Sequence, residues 1–226
     1  MFCQEWALVK HTFPTLKIIP LRCKCWTCDE CRPGRVQRLI YEAKLGKPDL
    51  FVTLTSIYTP GGDPAAAARE LVWAWRTIRQ EYMEKNGKGS LPFLAVFEET
   101  KNGWPHLHIV ARCRWLDQAD LADRMEELTG ARVCWVERLT SDRKVANYVT
   151  KYIGKNPYRF RGTKRYWRSL DYFTPTPEDE VPTNDDPPLW EVFRGSITRA
   201  VMSFTDLGWL VEWRGTEAIL TSGKPP

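Results

Sequence analysis

The stretch Phe93-Leu-Ala-Val-Phe-Glu-Glu-Thr-Lys-Asn-Gly-Trp-Pro-His-Leu-His-Ile-Val-Ala-Arg112 decides how the chain folds. Two apolar runs, Phe93 to Glu99 and His106 to Arg112, flank a Lys-Asn-Gly turn, which predicts an antiparallel hairpin. Upstream, Phe51-Val-Thr-Leu-Thr-Ser56 alternates apolar and hydroxyl residues, the period of a half-buried strand. Asp63-Pro64 then opens a helix, since an Asp N-cap accepts from orphan backbone donors and Pro suits the first turn. Leu71, Trp75, Ile78 and Tyr82 follow at helical spacing until Gly87. Downstream, the pattern predicts a helix from about Asp117 to Thr129 stopped by Gly130, and a strand from Val133 to Leu139. A third helix should run from Ser141 to about Lys155, before Pro157.

The order β, α, β, β, α, β, α predicts an α+β protein with a ferredoxin-like split β-α-β antiparallel sheet and an added C-terminal helix that carries tyrosines. This domain is expected over residues 49–174. Residues 1–48 are basic and Cys-containing, with Pro14, Pro20 and Pro33 interrupting them before a short helical stretch from Arg35 to Lys44. They read as a small metal-binding module. Residues 175–188 hold five acids, five prolines and no base, the composition of an exposed linker. Residues 189–226 form a β-rich C-terminal segment of unassigned role, with strand candidates at Ile197 to Phe204 and Trp209 to Trp213.

Composition narrows the function classes. A chain of 226 residues with 43% hydrophobic side chains is not disordered, and it buries enough surface to fold without disulfide staples. No apolar run approaches the roughly 18 residues of a membrane span, and Met-Phe-Cys-Gln-Glu-Trp lacks the features of a secretory signal. The expected location is the cytoplasm. In that reducing compartment seven Cys, four of them between Cys23 and Cys31, point to metal ligation. Eleven Trp also need places: Trp73, Trp75 and Trp135 read as core, and Trp26, Trp104 and Trp167 lie near basic segments.

His106 and His108 alternate with Leu107, so both imidazoles share one strand face while Leu107 faces the core. On the partner strand, alternation brings either Glu98 or Glu99 to that face, and Glu98 has the matching parity. Two imidazoles and a carboxylate leave open positions on a divalent ion, which catalysis requires. Tyr148, Tyr152 and Lys155 fall on one stripe of the third helix. From Arg143 to Leu170 there are nine Lys/Arg and no acid, interleaved with aromatics. Basic side chains neutralise phosphates and aromatic faces stack on unpaired bases, so this stretch suits single-stranded nucleic acid; Arg159, Arg161, Lys164, Arg165 and Arg168 are the candidate contacts. A phenol has a pKa of about 10 and attacks only with help. A divalent ion polarising a phosphate, with Lys151 balancing charge, would let a tyrosine attack a phosphodiester and leave a covalent protein–DNA link.

Cys23-Lys-Cys25-Trp-Thr-Cys28-Asp-Glu-Cys31 has zinc-ligand spacing. These four could bind one ion among themselves, or Cys3 could join Cys25, Cys28 and Cys31 and leave Cys23 in reserve. Cys113 and Cys134 read as buried thiols within strands. A zinc site would fix the basic segment carrying Arg32, Arg35 and Arg38.

Phe51-Val-Thr-Leu-Thr55, Pro105-His-Leu-His108 and Tyr148-Val-Thr-Lys-Tyr-Ile-Gly-Lys155 together resemble, in order and spacing, the three motifs of HUH endonucleases. Within that superfamily the chain looks most like two-tyrosine rolling-circle replication initiators of small single-stranded DNA phages and plasmids. The resemblance implies that His106 and His108 bind Mg or Mn with a third ligand, assigned to Glu98 with Glu99 in reserve. It implies that Tyr148 or Tyr152 nicks an origin strand, forms a 5'-phosphotyrosine bond and frees a 3'-hydroxyl to prime synthesis, the second phenol later rejoining strands. An early Cys in similar initiators favours Cys3 as a zinc ligand. The sequence contains no Gly-x-x-x-x-Gly-Lys-Ser/Thr loop, so a host helicase or supercoiling would open the duplex for the host polymerase. A transposase or relaxase of the same superfamily would share these motifs, and a non-catalytic, zinc-containing nucleic-acid binder would share the composition.

Overall fold

A computed structural model of the chain describes residues 3–12, 14–87, 89–113, 116–155, 157–173 and 190–222. Its elements run β1 (Ala7–Thr12), β2 (Thr15–Pro20), α1 (Arg32–Leu45), β3 (Leu50–Thr55), α2 (Pro64–Lys85), β4 (Phe93–Glu99), β5 (Pro105–Ala111), α3 (Gln118–Thr129) and β6 (Cys134–Arg138). Then come α4 (Asp142–Tyr148), a π-helical turn (Val149–Ile153), β7 (Tyr166–Arg168), β8 (Trp190–Phe193), α5 (Ile197–Thr205), β9 (Trp209–Arg214) and β10 (Glu217–Ser222). The strands form two antiparallel sheets, ordered β6-β3-β5-β4-β7 and β8-β1-β2-β10-β9. The chain divides into one unit of Val36–Pro177 and another of Met1–Arg35 with Glu178–Pro226.

The larger unit is built around the β4-β5 hairpin. Its turn closes through Gly103 N to Thr100 O at 2.9 Å, and Gly103 has φ 77°, a left-handed conformation that glycine adopts without strain. β3 inserts between β5 and β6, so a strand that precedes the hairpin in sequence becomes central in the sheet. On one face of the sheet Leu50, Val52, Leu54, Ala95, Leu107 and Ile109 pack in a core with Leu71 and Trp75 of α2 and Met125 of α3. Both helices start where the sequence requires. The Asp63 carboxylate accepts from Ala65 N at 2.9 Å, and that of Asp117 accepts from Ala119 N at 2.8 Å and Asp120 N at 3.1 Å. Gly130 ends α3 in the left-handed conformation. The opposite face of the sheet carries Phe51, Thr53, His106 and His108.

The third helix is not uniform. α4 is seven residues long, and the chain then widens into the π-helical turn, with Gly154 N bonded to Val149 O at 2.9 Å. Val149 and Ile153 are fully buried. Beyond it, Tyr158 N donates to Phe97 O at 2.8 Å and Phe97 N donates to Arg165 O at 3.3 Å, so residues 158–168 close the β4 edge.

In the smaller unit α5 packs Ala200 and Val201 on Val9, Ile18, Ala218 and Leu220. Here the structure departs from the sequence reading at several points. Ile197 to Phe204 is a helix: Ile197, Ala200, Val201 and Phe204 have helical spacing, and the Ser196 hydroxyl caps Arg199 N. Strands β1, β2, β7, β8 and β10 have no counterpart in the sequence reading. Because β10 pairs with β2 and β8 with β1, strands of 1–48 and 189–226 share one sheet. Pro33 does not interrupt α1 but lies in its first turn, where its missing N–H costs nothing. The expected linker, 175–188, lies outside the described residues.

Candidate active site and cysteine centre

Register assembles the first site. Thr55 lies opposite His106, and His106 opposite Glu98; one step inward, Thr53 lies opposite His108. Directly opposed residues share a face, so Glu98 joins the imidazoles while Glu99 pairs with Pro105 on the other parity. His108 is 2% exposed, with Nδ1 at 3.0 Å from Thr53 Oγ1 and Nε2 at 2.7 Å from Glu98 Oε2. The other Glu98 oxygen accepts from Lys155 Nζ at 2.6 Å. These partners, His108 first and Lys155 after it, hold the Glu98 carboxyl down at about 2 against its partial burial. Burial, then the nearby His108 charge, lowers the pKa of His106. At neutral pH the set therefore contains an anionic carboxylate and a neutral His106, the protonation states that ligate a metal.

The phenols cover this face. Tyr148 and Tyr152 stack with ring centroids 5.7 Å apart, and both pack on Phe51, at 4.8 and 5.0 Å. Tyr152 is the one against the histidine, 5.0 Å from the His108 ring. Lys151 Nζ lies 4.8 Å from the Tyr152 ring centre, and hydrogen bonding with Tyr152 raises the lysine's pKa. Burial, reinforced by the negative charge of Glu137, raises that of Tyr148.

The expected DNA contacts are distributed differently. Arg159 donates to Thr163 O, Arg165 donates to Pro157 O, and Arg168 lies over the Phe173 ring at 4.5 Å and near Glu42 at 3.8 Å. Arg161 and Lys164 are exposed. Phe160, among the aromatics of this stretch, is buried against Phe97, and Trp167 is partly buried beside both Phe93 and Phe97. Tryptophan placement also differs: Trp75 is core and Trp104 is buried, but Trp73 and Trp135 are about half exposed. Sequence reasoning missed Thr53 and Phe51 as site residues, although the alternation that sends Val52 and Leu54 to the core sends them to the histidine face.

In the other unit, Cys3, Cys23, Cys28 and Cys31 bring their sulfurs within 4.8 Å of one another, and this group could hold a metal such as zinc. Cys31 Sγ lies 3.4 Å from Cys3 Sγ and 3.7 Å from Cys23 Sγ. Four sulfurs around zinc at ~2.3 Å stand about 3.8 Å apart, so the spacing fits. Cys23 takes the place that the sequence reading gave to Cys25. Lys24 between them has φ 52°, which turns Cys25 N–H toward Cys23 Sγ at 3.4 Å and sends the Cys25 side chain elsewhere. The backbone N–H of Cys31 draws the Cys28 thiol down to about 7, toward the thiolate that ligates. Arg35 stacks on Trp26 at 4.9 Å and donates to Lys24 O, and Arg32 lies 3.6 Å from Asp29; Arg38, in the larger unit, pairs with Glu42 at 3.0 Å. Cys113 is buried and Cys134 partly so. Among the described residues the quartet alone gathers three or more such donor atoms so closely.

Fold and site thus define an α+β protein with an imidazole–carboxylate–phenol centre on an antiparallel sheet and a separate tetrathiol centre. Residues 49–157, slightly under half of the 226, match the family model for the replication-associated protein ORF2, which associates this segment with replication. The matched stretch contains every side chain of the first centre. No curated protein and no solved structure matches the chain. No helix among the described residues is long and apolar enough to cross a membrane.

Proposed function

We propose that this protein initiates rolling-circle replication by nicking and joining single-stranded DNA at an origin, through a ferredoxin-like HUH endonuclease domain. The observation that carries the reading is the packing of Tyr152 on His108, within the set His106, His108 and Glu98, inside the segment similar to a replication-associated family. His106, His108 and Glu98 would hold Mg or Mn, which supplies Lewis-acid polarisation of the scissile phosphate. Glu99, on the other parity, is not part of this set.

The chain's own residues account for the rest of the exchange. A tyrosine oxygen forms a bond to phosphorus, the bond from phosphorus to the 3'-oxygen breaks, and a proton lost from the phenol is matched by one gained at the 3'-hydroxyl. No oxidant or reductant is needed. The proximity of Tyr152 to His108 and Lys151 supports it as first nucleophile, because the ammonium stabilises negative charge developing on its oxygen. Tyr148, stacked beside it, is the candidate for the second, rejoining attack. Lys155 orients Glu98. The zinc centre stiffens the terminal unit, and a host helicase and polymerase act on the opened strand.

Incubating the protein with labelled single-stranded oligonucleotides and Mn, followed by denaturing electrophoresis, tests this directly. A covalent adduct is expected; its absence across a broad set of origin-like sequences sinks the reading. Tyr152→Phe should abolish the first adduct and Tyr148→Phe should spare it while blocking rejoining.

A further inference from the structure

The geometry points to Trp135 as a stacking platform for an unpaired base of the strand whose phosphate sits at His106 and His108. The inference rests on the single-stranded DNA substrate proposed above.

Sequence periodicity assigns Trp135 to the core, but register moves it to the other side. β6 pairs with β3 so that Trp135 lies opposite Thr53, and Thr53 lies opposite His108. Trp135 therefore stands on the histidine face two strands away, roughly 10 Å at the usual spacing of strands. Its neighbour Val136 takes the core side at 9% exposure, whereas Trp135 is 53% exposed on a strand that ends the sheet. Exposed Val133, Ile57 and Tyr58 continue the apolar surface at the same end: Thr55 N bonds Val133 O at 3.2 Å, and Ile57 and Tyr58 follow closely after β3.

A large ring half in water forgoes the stabilisation that burial brings. The flat face it presents is what an unpaired base of any sequence stacks on. Charge on this face agrees with that occupant. Lys144, Lys151 and Lys155 belong to the acid-free stretch from Arg143 to Leu170, and Glu137, the acid near Trp135 in sequence, is engaged by Lys144 at 3.1 Å. The aromatics that the sequence offered for stacking, Phe160, Trp104 and Trp167, are buried or partly buried, so Trp135 takes over the role.

Binding of the full chain to labelled oligo-dT, and to an abasic strand of equal length and charge, is measured by anisotropy without divalent metal, so that no cleavage intervenes. The unmodified protein should prefer oligo-dT. Trp135→Ala should weaken oligo-dT about five- to 150-fold and leave the abasic strand unchanged. Trp135→Phe and Trp135→Leu guard against a folding effect: Phe should keep part of the preference and Leu none. An equal loss on both strands, or no loss, overturns the inference. Failure to nick with this binding pattern intact would sink the nuclease reading alone; nicking with binding indifferent to Trp135 would sink the stacking role alone.

Discussion

His108 Nε2 and Glu98 Oε2 meet at 2.7 Å across the β4-β5 hairpin. The contact arises because the hairpin opposes Glu98 to His106, and His108 lies on the same face one pleat further in. With Thr53 on its other nitrogen, the His108 ring is held at both ends.

Thr53 should matter for metal binding although it is no ligand. Thr53→Val keeps the shape of the side chain but removes the oxygen beside Nδ1. Loss of such an orienting partner typically costs about 10–100-fold in metal affinity. Titration of free Mn by electron paramagnetic resonance should show that loss, with Thr53→Ser restoring most of it. An unchanged affinity in Thr53→Val would dismiss the role.

Glu98 should shape the acid limb of stability. Its folded pKa, about 2, is depressed below the ordinary 4.5, so its ion pairs stabilise the fold above about pH 4.5 and lose that contribution as pH falls toward 2. Urea midpoints should therefore decline more steeply over this window in the unmodified protein than in Glu98→Gln. Parallel declines would contradict the assignment.

The cysteine centre yields a sharp contrast. Elemental analysis should find one zinc per chain, lost in Cys23→Ser and Cys28→Ser and retained in Cys25→Ser and His106→Ala. Retention in Cys23→Ser with loss in Cys25→Ser would restore the assignment made from spacing. Zinc lost in His106→Ala would mean that the two centres are not independent.

Gly46 admits no side chain. A Cβ there would overlap the buried ring of Tyr172, whose hydroxyl donates to Ala43 O at 2.6 Å. Gly46→Ala should cost about 1–3 kcal/mol by overpacking, and Tyr172→Phe about 1 kcal/mol through the lost hydrogen bond. A urea midpoint unmoved by Gly46→Ala would show that the ring can shift freely.

Much of the larger unit was legible because its signals are local. Asp63-Pro64, Asp117 and Gly130 mark helix ends by backbone chemistry confined to one turn, and the Lys-Asn-Gly turn set the hairpin. The terminal unit was less legible. Ala7 to Thr12 and Thr15 to Pro20 alternate over only six residues each, and β10, the partner of β2, is some two hundred residues away in sequence. Ile197 to Phe204 begins with a β-branched pair, which masked its helical period.

The sequence by itself determined the order of elements in the larger unit, the His106/His108 pair on one strand face, the two tyrosines one helical turn apart and a cysteine cluster near the start. Tertiary structure alone decided which partners these groups have. Pairing of β3 beside β5 brought Thr53 to His108, the left-handed Lys24 exchanged Cys25 for Cys23, and the edge position of β6 left Trp135 open. The physical reason is the same in each case: periodicity specifies the face on which a side chain lies, whereas long-range register and backbone handedness specify what lies opposite it.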